Sequence, residues 1–288
     1  MDYAAVVAVE ICYAVAVLVL ISAGLAVIFG MMRVINLAHG EFLTLGGYAA
    51  IVSNKAGFNI YVSMLVMAPL AAALFGFIVE RVIIRWLYGR LINTMLATWG
   101  LSLAMMGGFT MIFGNTTTGI ATPIAGFTFG RYQLSGYNLF VIFMAVVVAV
   151  GLYLILKTTR AGLIARGAMQ NTEMTSAFGY NPSRVYLITF VAGSALAGLA
   201  GGVMAPLVGL NPASGANYIA KSFITVIAGG ASVVSGALTS AGIFGVISQT
   251  VTLLTTPAVG EIALLVVAIV LLRLLPTGIT GKFFKGKI

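Results

Sequence analysis

Apolar residues along this chain come in long unbroken blocks, not in the short periodic stripes of a water-soluble fold. Ala4 to Phe29, Ile60 to Glu80, Met95 to Phe113, Leu139 to Leu156 and Tyr186 to Val208 are each predominantly apolar. Crossing a bilayer takes roughly 20 such residues at the helical rise, so each block predicts a transmembrane helix. From Phe223 to Leu275 the apolar character is almost continuous, with breaks near Gly229–Gly230, Gly236 and Pro257. No block alternates polar and apolar residues as a barrel strand does. Helices are the other structure that satisfies backbone groups in lipid. The pattern predicts an all-α, polytopic membrane protein with some helices broken by Gly-rich segments.

Composition points the same way. Of 288 residues, 61% are hydrophobic and 7% charged, and the mean hydropathy is +1.12. A soluble domain carries about 25% charged residues, so lipid must solvate much of this chain. The net charge of +9 would suit nucleic acid if it formed one patch, but it does not. Arg81, Arg85 and Arg90 follow one span; Lys157, Arg160, Arg166 and Arg184 surround one polar loop; Arg273, Lys282, Lys285 and Lys287 follow the last span. The positive-inside rule fills these cytoplasmic positions, so lipid headgroups are the expected partner and nucleic acid is not. The single cysteine, Cys12, has no internal partner and is silent on compartment.

The basic clusters set a topology. Residues 81–93 and 157–185 are placed inside, which puts 54–59 and 114–136 outside. The first basic residue is Arg33, and the start, Asp2, is acidic. A secretory signal peptide has a positive start, so the first span is read as retained, with its N-terminus outside. Five spans precede Arg184, and two or four follow it, so that the C-terminus is cytoplasmic. The expected total is seven or nine crossings, or about eight transmembrane helices with a re-entrant segment near 222–235.

Val27, Ile28, Gly30, Val34, Ala38 and Gly46 recur at one constant offset as Val226, Ile227, Gly229, Val233, Ala237 and Gly245. Both windows interrupt an apolar run with glycine. Paired broken helices in two halves mark transporter pathways, so the match is read as an inverted repeat, with shared small-residue composition as the alternative.

The densest polar cluster in an apolar setting is Asn36, His39 and Glu41, within Arg33–Glu41. Ionisable groups at membrane depth cost several kcal/mol unless paired or hydrated. These three side chains are expected to brace a broken helix, to line a pathway or to cap a helix end. A carboxylate at Gly40–Glu41 suits a helix start, where the dipole is positive. Thr98 and Trp99 lie inside a span, facing a pore or packing through Gly100. Glu10 is expected near the outer interface, and Glu80–Arg81 as an ion pair at the cytoplasmic one.

The polar loop from Thr158 to Arg184 carries a short helix. Asn171 or Thr172 caps it, Met174 and Phe178 lie on its apolar side with Glu173 opposite, Gly179 ends it, and Asn181–Pro182 stops it resuming. Such a helix can dock into a groove on a partner or lie on its own domain. One histidine, one cysteine and six acidic residues on distant segments offer no metal cluster or triad. With no phosphate-cradling GxxxxGK[ST] motif, any ATP must be hydrolysed by another chain.

Val34-Ile35-Asn36-Leu37-Ala38-His39-Gly40-Glu41 resembles the INxAHGE signature of membrane permeases in ABC importers for branched-chain amino acids, urea and short amides. The resemblance continues in order through Glu80-Arg81, Arg160-Ala161-Gly162-Leu163 with Arg166, Gln170-Asn171, Phe178-Gly179-Tyr180 and Arg184. It resumes at Leu187-Thr189-Phe190, Ala195 to Gly201, Gly229-Gly230 and Leu275-Pro276-Thr277-Gly278. It covers about residues 25 to 280 and implies that 1–288 is a single transmembrane permease domain in a bacterial inner membrane. It further implies a second, related permease (a heterodimer), two cytoplasmic ABC ATPases and a periplasmic solute-binding protein. The permease would be no enzyme and hold no cofactor, ATP-Mg residing on the ATPases. The family's ATPase-contacting loop maps onto 158–184, with Arg166, Asn171, Glu173, Met174, Phe178 and Gly179 as coupling residues. Arg85 to Arg90 with Leu96 to Gly100 resembles the urea and short-amide branch, although Leu91 stands where that branch has proline. The expected solute is therefore urea or a short amide, ahead of branched-chain amino acids. A stand-alone channel for a small neutral solute is the alternative.

Overall fold

The computed structural model describes residues 2–129, 132–230 and 232–283. Arg131, Lys285 and Lys287 lie outside the described residues.

The chain runs α1 (Asp2–Met32), α2 (His39–Lys55), α3 (Ile60–Val62), α4 (Ala68–Val82) and α5 (Leu91–Phe113). A hairpin of β1 (Phe127–Phe129) and β2 (Tyr132–Leu134) comes next, then α6 (Gly136–Thr158), α7 (Arg160–Gln170) and α8 (Thr172–Ala177). The last five helices are α9 (Pro182–Met204), α10 (Ser214–Gly229), α11 (Val233–Leu254), α12 (Pro257–Leu274) and α13 (Gly278–Phe283). Seven helical stretches are long and apolar enough to cross a membrane: Tyr3–Met32, Ile60–Val82, Leu91–Phe113, Gly136–Thr158, Pro182–Met204, Val233–Leu254 and Pro257–Gly281. The protein is a polytopic all-α membrane protein. α2, with 17 residues, and α10, with 16, are shorter.

α3 and α4 make one stretch, joined by a π-helical turn over Ser63–Met67. Pro69 in the first turn of α4 has no N–H to give, which loosens the ladder there. The fifth apolar block sits four residues earlier than the hydropathy pattern places it. Asn181–Pro182 starts this helix: Asn181 Oδ1 accepts from Ser183 N at 3.0 Å, and Pro182 takes the first helical position, where its missing N–H costs nothing.

Two compact units emerge. One comprises residues 23–121 and 152–220, the other 1–22, 122–151 and 221–288. In the first, α2, α4 and α9 pack together, and α9 supplies a face of small residues. A side-chain carbon on Gly201 would collide with the Leu43 carbonyl, one on Gly198 with Ala68 and Ala72, and one on Gly193 with Ile28 and Gly24. Backbones this close gain van der Waals contact, which lipid cannot replace. Phe42 sits in this core, edge-on to Phe190 with ring centroids 6.0 Å apart. Tyr48 stacks on Phe113 at 4.0 Å.

In the second unit, α11 packs against α12 and α13. Gly260 fits against Ser248 and Thr252, and Gly245 against Val15. The Ser240 hydroxyl donates to the Thr225 carbonyl at 2.6 Å. Glu10 is half-buried and accepts from Asn138 Nδ2 at 3.2 Å.

Candidate functional site

The α1–α2 connection gathers three of the polar residues singled out above. Arg33 has φ 51°, among the described residues the one non-glycine in the left-handed region, and it ends α1. The chain then turns back along α1. His39, buried at the start of α2, has its Cε1 3.2 Å from where a Cβ on Gly24 would stand. Gly24 lies about 12 Å before the end of α1 at the helical rise, so this helix start is inside the protein.

A helix start inside protein needs partners for its backbone. Asn36 is fully buried, and its Oδ1 accepts from Ala38 N at 3.1 Å. Thr98, also fully buried, accepts from Leu37 N at 3.0 Å and lies 3.3 Å from the Ile35 carbonyl. Glu41, in the first turn of α2, accepts from the Ser102 hydroxyl at 3.3 Å. Its carboxyl lies against Gly215 in the first turn of α10, where an added Cβ would be 2.7 Å away. Asn36 in the connection, Glu41 on α2, and Thr98 and Ser102 on α5 therefore close one break together. Trp99 is not part of this group. One residue on from Thr98 the helix has turned about 100°, and Trp99 is 56% exposed, on a face of α5 turned away from the break.

A second break has the same construction. α10 ends at Gly229, Gly230 has φ 86°, and α11 begins at Val233. Here Ser232 N donates to the Thr280 hydroxyl at 3.2 Å, and that hydroxyl donates to the Gly229 carbonyl at 2.6 Å. Gly230 and Gly278 pack backbone to backbone, so two motifs far apart in sequence, Gly229-Gly230 and Leu275 to Gly278, meet. The second break falls at Gly229-Gly230, where the apolar pattern places it, whereas Gly30 lies inside α1 and the first break opens at Arg33.

The loop over 158–184 is helical. Thr159 caps α7, accepting from Gly162 N at 3.0 Å. Asn171 caps α8, accepting from Met174 N at 2.9 Å. Gly179, with φ 84°, ends α8, and its N–H reaches the Ser176 carbonyl at 2.9 Å. The inward side of α8 carries its two threonines: Thr175 is buried, and Thr172 lies 3.1 Å from the Tyr186 hydroxyl. Met174 is 55% and Phe178 75% exposed, and Glu173 is exposed beside them. Arg166, half-buried on α7, reaches the Gly162 carbonyl at 3.4 Å.

Glu80 does not pair with Arg81. Arg81 lies over the Phe77 ring at 5.8 Å, while buried Glu80 accepts a short hydrogen bond from the Tyr88 hydroxyl. Successive helical residues point in different directions, so adjacency in sequence favours no contact between them. Burial first, and then Glu80, push the Tyr88 phenol above its usual range, so it remains a donor. Among the described residues the ion pair is Lys221–Glu261, at 2.6 Å. Ser102, Gly215 and Thr280 belong to these sites without a local sequence signal, since their partners are distant in the chain; Tyr88 and Tyr186 reach theirs across turns between helices.

Comparison with known proteins agrees with the architecture. The family described as "Branched-chain amino acid transport system / permease component" matches residues 7–275. The chain belongs to this family of transport permeases. It is 28% identical to the high-affinity branched-chain amino acid transport system permease protein BraD of Pseudomonas aeruginosa, over 91% of each chain. It is also 28% identical to the probable branched-chain amino acid transport permease protein LivH of Methanocaldococcus jannaschii, over 93% of this chain and 90% of that one. Identity to the LivH permease of Escherichia coli K12 is 25%, over 91% of each chain. No solved structure matches the chain.

Proposed function

We propose that this chain is one permease subunit of an ATP-driven importer in the inner membrane, moving a small neutral or zwitterionic solute. In the working complex it pairs with a second, related permease. Two cytoplasmic ATPases bind below it and a periplasmic solute-binding protein delivers from above. The observation that carries this reading is α8: Thr172 and Thr175 face its own unit, while Met174 and Phe178, with Glu173 beside them, are left in the open. Apolar side chains on an outward helix face suit a groove on a partner, and the family supplies an ATPase as that partner.

The basic residues support a topology with the N-terminus outside. If the seven long helices alone crossed, Arg81–Arg90 and Lys157–Arg184 would fall on the wrong side. Letting α2 and α10 cross as well puts both clusters, Arg33 and Arg273 inside, in nine crossings. α2 spans about 25 Å, short of the bilayer's roughly 30 Å, and most of it is buried in protein.

The solute class follows the relatives: a branched-chain amino acid is favoured. Urea or a short amide is the second reading, carried by Arg85 to Arg90 with Leu96 to Gly100. Uptake into vesicles bearing the full complex tests both, with leucine, urea and acetamide offered in turn. ATP-dependent accumulation of leucine supports the first reading and of urea or acetamide the second. ATP-independent equilibration through this chain alone would replace the importer by a channel.

A further inference from the structure

α8 has one buried residue, Thr175, so apolar packing gives it little grip on the helices behind it. A chain of polar and aromatic contacts supplies that grip. Thr172 opens α8, and its single hydroxyl proton goes to the Ala168 carbonyl at 3.1 Å. Tyr186, in the second turn of α9, therefore donates to the Thr172 oxygen, 3.1 Å away. The Tyr186 ring meets the Tyr88 ring edge-on, centroids 5.0 Å apart. The Tyr88 hydroxyl donates to Glu80 at the end of α4.

Glu80 is the unexpected member. A carboxylate at the end of a span ordinarily stays in water or meets a cation. This one is buried, with no cation within ion-pair distance among the described residues and its second oxygen unpartnered. Such a group is held in place by its one donor, Tyr88, and it fixes Tyr88 in return. α4 then packs on α9, and α2 on both.

We propose that Glu80, Tyr88 and Tyr186 are positioning residues that pass displacement of α8 to α4, and so to the α2–α4–α9 bundle, during transport. The inference rests on α8 being the ATPase-facing helix. α8 presses on Tyr186 through Thr172, Tyr186 on Tyr88 through the ring contact, and Tyr88 on Glu80 through one hydrogen bond. Loss of either hydroxyl leaves α8 folded but slack.

The test uses the complete complex of both permeases, ATPases and binding protein in lipid discs. Tyr88→Phe and Tyr186→Phe keep the rings and remove the hydroxyls. Because Tyr88→Phe strands a buried carboxylate, Glu80→Met with Tyr88→Phe removes both partners together, which restores stability at such sites. Three quantities are read: ATPase retained per permease, hydrolysis without solute, and the ratio of solute-stimulated to unstimulated hydrolysis. Both single variants are expected to keep the first two and to lose about fivefold or more of the ratio. The double variant is expected to melt like wild type and stay uncoupled. An unchanged ratio in the single variants would overturn the proposal. So would a ratio restored in the double variant, or a loss that only tracks lost assembly. Absence of stimulation in the wild type is a distinct result, one that sinks the importer reading and this proposal with it.

Discussion

The backbone N–H of Leu37 donates to the hydroxyl of Thr98 at 3.0 Å, across 61 positions of sequence. A broken helix inside a membrane protein has to find partners for the groups its break sets free, and α5 supplies one here. Thr280 does the same for Ser232 at the second break, at 3.2 Å. Thr98→Val keeps shape and removes the acceptor, so it should cost about 1–3 kcal/mol, and Thr98→Ser should cost much less. Thermal unfolding in detergent measures both. Equal stability of the two variants would remove Thr98 from the bracing role.

The close approach of α9 to α2 predicts an asymmetry between glycines. Gly201→Ala drives a methyl into the Leu43 carbonyl, whereas Gly100→Ala on α5 meets open space. Overpacking of this kind costs about 1–3 kcal/mol. The first variant should melt well below wild type and the second should match it. Matching melts for both would contradict the α2–α9 packing.

Glu41 lies against α10 and accepts from Ser102, contacts that suit the bracing reading over the pathway one, and the two readings predict different variant behaviour. Glu41→Gln keeps an acceptor for Ser102, so it should cost about 1 kcal/mol or less. It should also leave the half-saturating solute concentration for uptake unchanged. A large rise in that concentration with the fold intact would make Glu41 part of the pathway.

Much of the fold is legible in the sequence because lipid enforces one rule at every span. The apolar blocks locate the long helices, and Gly229-Gly230 locates the second break, while the first opens three residues past Gly30. Local chemistry is legible too: Asn171 and Gly179 delimit α8 through caps that act within four residues. Contacts that depend on which helices become neighbours are not. Glu80 reads as a partner of Arg81 by adjacency, while its real donor is Tyr88, one 3-10 turn further on. Trp99, beside Thr98 in mid-span, stands exposed while Thr98 is buried, a difference set by which face of α5 the neighbouring helices cover. Short α2 and α10 fall below the usual span length, so the proposal that they cross rests on charge placement and not on hydropathy.

Exposed Met174 and Phe178 make little contribution to the chain's own stability, where surface changes stay within about 0.5 kcal/mol. Replacing both by Ala should leave the melting temperature alone yet cut recovery of the ATPase with the permease. Anchors of this size are worth about 2 kcal/mol or more at an interface, roughly thirtyfold in affinity. Pull-down at graded ATPase concentration reads the shift. A lowered melting temperature would mean that these side chains serve the fold instead.

The most direct test of the importer reading is solute-stimulated ATP hydrolysis by the reconstituted complex, wild type against Glu173→Ala with Phe178→Ala. The account predicts that one solute class, delivered by the binding protein, stimulates hydrolysis in the wild type, and that the α8 variant loses this stimulation. Hydrolysis indifferent to every solute, or stimulation that survives in the variant, would contradict it.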